Sequence, residues 1–150
     1  IGPVLQAANR GQAIMKTLTF QADSFSWTPF SKTIETAEKT PSPGSVSSAV
    51  VVFIHVERKD ENDVGRSIRK LLKHIKWIAG KGEFNSIVLH SFTHLGGETA
   101  EPEFALHIFE SVRERLLSVG YTVSITPFGY FSAWDIAVRG ESMAKVWKEF

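Results

Sequence analysis

The chain has 150 residues, 43% hydrophobic and 22% charged, with a formal net charge of +1 and no cysteine. That length and composition describe one domain with enough apolar material for its own core, and they exclude intrinsic disorder and fibrous repeats. The missing cysteines exclude disulfides, thiol nucleophiles and cysteine-held zinc. The balanced charge excludes a histone-like polycation but leaves room for a local basic patch.

Residues 1–14 (IGPVLQAANRGQAI) carry neither strand nor helix period, and Met15 opens MKTLTF as a natural start. The first segment is therefore expected to be a tag remnant or disordered extension, and 15–150 a single domain. Lys16 to Ala22 reads as a first strand, and the alternating Ser24-Phe25-Ser26-Trp27-Thr28 as a second, half-buried one. Lys32 to Ser47, with Pro41, Pro43 and Gly44, is a loop with room for one helical turn near Ile34 to Glu38. Ala49 to Val56 (AVVVFIHV) is almost continuously β-branched, which predicts a central strand buried on both faces.

From Asp63, apolar residues recur at spacings of three and four through Val64, Ile68, Leu71, Leu72, Ile75 and Ile78. The pattern predicts an amphipathic helix, N-capped by Asn62 or Asp63 and closed by Gly80 and Gly82. Ser86 to Ser91 is another buried strand. Glu101-Pro102 opens a second helix with Phe104, Ala105, Ile108, Phe109, Val112 and Leu116 as its stripe and Gly120 as its stop. Strands at Thr122 to Thr126 and Ala133 to Val138 follow, and a short final helix is expected to carry Met143, Val146 and Trp147. The order predicts an α/β fold, with two main helices packed on one mixed β-sheet. No apolar run approaches the ~20 residues of a membrane span and no signal peptide is visible, so a cytoplasmic protein without membrane contact is expected.

Named nucleotide, metalloprotease and serine-hydrolase motifs are absent, and Gly80-Lys81-Gly82 reads as a helix stop. The richest stretch is His90-Ser91-Phe92-Thr93-His94-Leu95-Gly96-Gly97-Glu98, a buried strand feeding a loop of histidines, hydroxyls and glycines. Strand ends are where α/β folds hold ligands, and a neutral histidine can orient water or move a proton. An ordinary polar loop with His90 as a satisfied half-buried side chain explains the same residues equally well. Thr126-Pro127-Phe128-Gly129-Tyr130-Phe131 is a stiff aromatic turn, fit either to wall a pocket and stack on a base or simply to pack. His55, His90 and His94 lack ligand spacing, so no metal is expected. Arg66, Arg69, Lys70, Lys73, Lys76 and Lys81 lie off the apolar stripe of the first helix with few compensating acids, either as a solvated face or as a surface that follows RNA phosphates.

In this order, the strand ending Val56-Glu57, the Phe92-x-His94-Leu95-x-x-Glu98 stretch before a proline-started helix, and the Pro127-Phe128-Gly129-Tyr130 turn resemble a known family. From Met15 to about Trp147 the chain is similar to the N-terminal editing domain of archaeal threonyl-tRNA synthetase, which has the D-aminoacyl-tRNA deacylase fold. The resemblance implies hydrolysis of serine mischarged onto threonine tRNA, in cis or in trans, without cofactor or metal. It implies a homodimer acting in translation proofreading, with the 3′ aminoacyl-adenosine end of tRNA as partner and a synthetase as a further one. Carried over by position, His94 would be the catalytic residue, and Val56, Phe92, Thr93, Phe128, Gly129 and Tyr130 the substrate pocket. Arg66, Arg69, Lys70 and Lys73 would then serve tRNA binding. Four positions depart from the family pattern. Phe131-Ser132 replaces a Tyr-Lys pair, Lys145 aligns with a glutamate, and Ser91 stands where the family has proline. These departures leave two options: hydrolysis leaning on backbone donors and the substrate's 2′-hydroxyl, or a catalytically reduced domain that binds aminoacyl-tRNA or a small amino acid.

Overall fold

The computed structural model describes residues 15–150, so the reading of residues 1–14 lies outside the described part. Strand β1 (Lys16–Lys32) pairs antiparallel with β2 (Gly44–His55), and β2 is followed by a 3-10 turn at Arg58–Asn62 and helix α1 (Val64–Lys81). Strand β3 (Ser86–Ser91), helix α2 (Pro102–Ser118), β4 (Thr122–Ile125), β5 (Tyr130–Val138), a 3-10 turn at Ser142–Ala144 and β6 (Lys145–Glu149) complete the chain. β2, β3 and β4 are parallel neighbours, and β5 and β6 both pair antiparallel with β1, giving a mixed six-stranded sheet.

β2 is central, as its β-branched run predicts. Val50, Val52 and Ile54 join the stripes of α1 and α2 in one core, while Val51 and Phe53 face the other way, against Phe25 and Trp27. Asp63 caps α1 by accepting from Arg66 N, and Gly82 closes it, with Gly80 still inside the helix. Pro102 occupies the first turn of α2, where its missing N–H costs nothing.

The sequence reading divides β1 into two strands, whereas the structure has one with a register shift between Ala22 and Ser24. The bulge at Asp23 switches the facing by one residue, so that Phe25 joins Phe20 against Phe53. The apolar alternation therefore breaks in sequence while the hydrogen bonding continues. β2 starts at Gly44, inside the expected loop, and Ile34 to Glu38 holds one turn bonded from Ala37 N to Ile34 O at 3.2 Å instead of helix. The expected final helix is also corrected. After the 3-10 turn the chain extends as β6 along the free edge of β1, where Val146 and Phe150 pack on the core and Thr17 Oγ1 donates to Lys148 O at 2.9 Å. Tertiary pairing has overridden a weak helical spacing. No helix among the described residues is long and apolar enough to cross a membrane.

Candidate active site

The parallel strands β2 and β3 deliver their C-terminal ends to one edge of the sheet, where a cleft of about 370 Å³ opens. One wall is the loop after β3, with Phe92, Thr93 and His94. Opposite it stands the turn after β4, with Pro127, Phe128, Gly129 and Tyr130, and His90, Thr126, Ser132 and Trp134 also line the cleft.

The loop after β3 is fastened to the end of β2 and the segment that follows it by three backbone bonds: Phe92 N to Ile54 O at 2.9 Å, Ala100 N to Val56 O at 3.0 Å, and Arg58 N to Glu98 O at 2.8 Å. These bonds leave the N–H groups of Thr93 and His94 outside the fastening. Two glycines in the left-handed region, Gly96 at φ +105° and Gly97 at +80°, turn the chain back. Gly97 packs directly on the Glu57 carboxylate, and Glu57 is ion-paired with Lys16. The loop thus sits on a buried charge pair whose members satisfy one another.

The opposite wall is closed from a direction the sequence does not indicate. The segment after β1 reaches across, Thr33 N donating to Gly129 O at 2.7 Å and the Tyr130 hydroxyl donating to Glu38 O. Gly129 has φ +83°, and a Cβ there would collide with Ile34 and Ala37.

His90 is 6% exposed and its Nδ1 lies 2.8 Å from Thr126 Oγ1. Burial among Phe25, Phe53 and Trp134 lowers its pKa to about 4, so it is neutral at ordinary pH. His55 Nε2 lies 3.0 Å from Thr99 Oγ1, and burial lowers its pKa as well. His94 stands exposed on the lip, its ring 5.1 Å from that of Phe92. Among the described residues no three His, Asp or Glu side chains are grouped to hold a metal.

Val56, Phe92, Thr93, His94, Phe128, Gly129 and Tyr130 are brought together here from three separate chain segments. Arg66, Lys70 and Lys73 line a different groove, between α1 and β6, with Trp77 and Lys148, and Arg69 shares a shallow depression with Lys73 and Arg115. Asp135 is exposed, and Lys145 Nζ donates to Gly140 O at 3.4 Å; neither lines the cleft. Thr126, which opens the aromatic turn picked out in the sequence, and Ser132, marked there as the departure from the family lysine, both line the cleft, while Thr33, Ile34 and Trp134 were not singled out for the site.

Charge-neutral, aromatic-walled and open at one side, the cleft can hold a small polar group and the ring that follows it. Thr93 and His94 line it, and their N–H groups make no backbone hydrogen bond among the described residues, so this segment holds groups able to orient water and stabilise an oxyanion.

Comparison with known proteins places this geometry in context. Residues 15–150 match the family model described as the archaea-specific editing domain of threonyl-tRNA synthetase. The chain is similar to threonine–tRNA ligase of Thermococcus kodakarensis, 32% identical over 117 residues, which cover 73% of this chain and 19% of that protein. The corresponding ligase of Pyrococcus horikoshii is 29% identical over 135 residues, 88% of this chain and 22% of its own length. The chain thus spans about a fifth of the length of these relatives. Among solved structures, a probable eukaryotic D-amino acid tRNA deacylase superposes with a TM-score of 0.60 at 10% identity, covering 91% of this chain and 100% of the other. A c-Myc DNA unwinding element binding protein does so with a TM-score of 0.57 at 16% identity, covering 90% and 98%. At these identities the likeness is one of fold, and that fold is the D-aminoacyl-tRNA deacylase type.

Proposed function

Because the chain belongs to the archaea-specific editing-domain family of threonyl-tRNA synthetase, we propose that its cleft hydrolyses the ester of mischarged aminoacyl-tRNA, with seryl-tRNA(Thr) as the substrate. The need is chemical. Serine lacks only the methyl group of threonine, and one methyl group gives a first binding step ~10–200-fold of discrimination at best. A second, smaller site that destroys the wrong ester supplies the rest, in cis within a longer chain or in trans.

The observation that carries the reading is the cleft itself, which Thr93 and His94 line together with the Phe128-Gly129-Tyr130 turn. In the proposed step water, held by His94 and the 2′-hydroxyl of the terminal ribose, adds to the acyl carbon. The N–H groups of Thr93 and His94 receive the developing oxyanion. The acyl–oxygen bond breaks, the ribose oxygen takes up a proton, and the freed amino acid ionises to give one back. Val56, Phe92 and Phe128 bound the acyl group, and Gly129 and Tyr130 flank the adenosine. Arg66, Arg69, Lys70 and Lys73 are assigned to tRNA phosphates, on the support of a helix without an acidic residue.

A second reading is favoured by one observation. No Asp, Glu, Lys or Arg is among the described residues lining the cleft, and Ser132 stands where the family resemblance calls for lysine. That pattern suits a module that binds aminoacyl-tRNA without efficient turnover. Deacylation of Ser-tRNA by the purified protein, with and without chelator, separates the two. Hydrolysis well above the spontaneous rate and indifferent to chelator supports the enzyme; a spontaneous rate supports the binding module, and chelator sensitivity supports a metal-dependent hydrolase. Pairing of two copies is proposed as well, on the support of exposed large apolar side chains such as Phe30 and Trp147, 84% and 51% exposed, and is testable by sedimentation.

A further inference from the structure

Away from the cleft, α1 presents a second set of groups in register. Arg66, Lys70, Lys73 and Trp77 recur at intervals of three and four, so they share one face of the helix. That face meets Val146, Lys148 and Phe150 across a groove of about 780 Å³. Beneath the groove His74 is 6% exposed, its Nε2 lying 3.1 Å from Thr19 Oγ1 and its ring edge-on to Phe150 at 5.4 Å. Burial, and then the neighbouring Lys148, lower its pKa to about 4, so this buried group is uncharged at ordinary pH.

The exposed groups are of two kinds. Trp77 keeps 51% of its surface in water, with Lys81 Nζ 5.9 Å from its ring centre. Lys70, Lys73 and Lys148 are exposed and have no ion-pair partner among the described residues, and Glu149 is the one acid among those that line the groove. An indole flanked by unpaired cations matches an unpaired nucleotide, because every base has a π-face to stack and every phosphate a charge to neutralise. A duplex keeps its bases stacked on one another and offers phosphates alone. An acidic peptide or an anionic membrane offers charge without a planar ring.

The topology sets this groove at the same edge of the sheet as the cleft. β1 begins where β2 ends, Lys16 opposite His55, and β6 ends there too, Glu149 opposite Lys16. β3 delivers the His94 loop to that edge, three strands away through β2 and β1, roughly 14 Å at ordinary strand spacing. We propose that the groove between α1 and β6 is a second binding site, which takes an unpaired nucleotide of the RNA substrate with its base stacked on Trp77 and its phosphates held by Lys70, Lys73 and Lys148. The inference rests on the tRNA reading and adds to it a base-stacking subsite outside the acyl cleft.

The test is a tryptophan-fluorescence titration of the wild-type protein with a short oligoadenylate, an RNA duplex of the same length, and polyglutamate. The oligoadenylate is expected to quench the emission and to bind more tightly than the other two. Trp77→Ala should weaken its binding at least about fivefold with the salt slope unchanged, since stacking carries no counterions, and Trp77→Phe should restore most of the loss. Lys70→Ala with Lys148→Ala should lower the slope of log affinity against log salt by about 1.4. Trp147→Ala, which alternates to the other face of β6 from Val146 and Lys148, should alter neither affinity nor slope. In deacylation of Ser-tRNA(Thr), the loss caused by Trp77→Ala should appear in KM, at least about fivefold. No binding of oligoadenylate, equal binding of duplex or polyglutamate, or wild-type affinity in Trp77→Ala would overturn this inference and leave the ester-hydrolase reading standing. Hydrolysis of Ser-tRNA(Thr) no faster than spontaneous would overturn that reading, while the titration still decides the groove.

Discussion

Three buried histidines show how much at the level of single residues depends on surroundings. His90 and His74 are each 6% exposed, and burial lowers both pKa values from 6.5 to about 4; His55 moves the same way. Unfolded, these imidazoles take up protons below about pH 6.5, but folded they refuse them until near pH 4, so the protein loses stability as pH falls through that window. Buried Asp60, its pKa raised by burial, pulls the opposite way. Chemical denaturation should show stability dropping by ~3 kcal/mol for each of His90 and His74 across the window, with His90→Gln flattening the slope. A stability that does not change between pH 6.5 and 4 would contradict the burial account.

Gly97 offers a test through space alone. Its φ of +80° disfavours any side chain, and a Cβ would overlap the Glu57 carboxylate. Gly97→Ala should therefore cost more than ~1 kcal/mol in thermal or denaturant unfolding and slow deacylation by displacing the His94 loop. Gly80→Ala, where a Cβ meets open space inside α1, should be neutral to stabilising. In the sequence, His94 and the glycines could be picked out as a loop with chemistry in it. The partner of Gly97 could not, because Glu57 lies forty positions away and meets it only in the fold.

Among the elements, the strongly periodic ones were legible. α1 and α2 show their stripes at three- and four-residue spacing, β2 shows its unbroken β-branched run, and the bounds of β3 were read residue for residue. β1 and β6 were misread because their signals lie in their partners. The bulge at Asp23 breaks the alternation that would mark one strand, and it is anchored by Arg139, whose Nε donates to Asp23 Oδ1 at 2.9 Å. β6 is a five-residue strand that exists because the first half of β1 leaves an edge to pair. α1 raises the more functional question. Between Val64 and Lys81 it has six Lys or Arg and no acid, so like charges such as Arg69, Lys73 and Lys76 stand at helical spacing with no acidic residue on the helix itself. If this face meets tRNA phosphates, Arg69→Glu with Lys73→Glu should weaken tRNA binding and reduce the slope of log affinity against log salt by about 2. An unchanged slope would return α1 to an ordinary solvated face.

For the whole molecule, charge and chemistry are separated in space. The cleft at the strand ends is neutral and aromatic, while the positive charge sits on α1 and the neighbouring β6. A net charge of +1 hides this, because it averages a basic helix against acids spread elsewhere. The motifs that line the cleft could be read from sequence because they cluster at two loops. The wall supplied by Thr33 and Ile34 could not, since it depends on the segment after β1 meeting the turn after β4, where Thr33 N bonds Gly129 O. The division suits a protein that grips a polyanion with one surface and handles a small acyl group in another. The central claim is that the small site destroys the wrong ester and spares the right one. The most direct measurement is the single-turnover deacylation rate of Ser-tRNA(Thr) against Thr-tRNA(Thr) by the wild-type protein. The account predicts that the seryl ester is hydrolysed at least about tenfold faster, the scale of one methyl group excluded from a tight pocket. Equal rates for the two esters, or a seryl rate no higher than spontaneous hydrolysis, would contradict it.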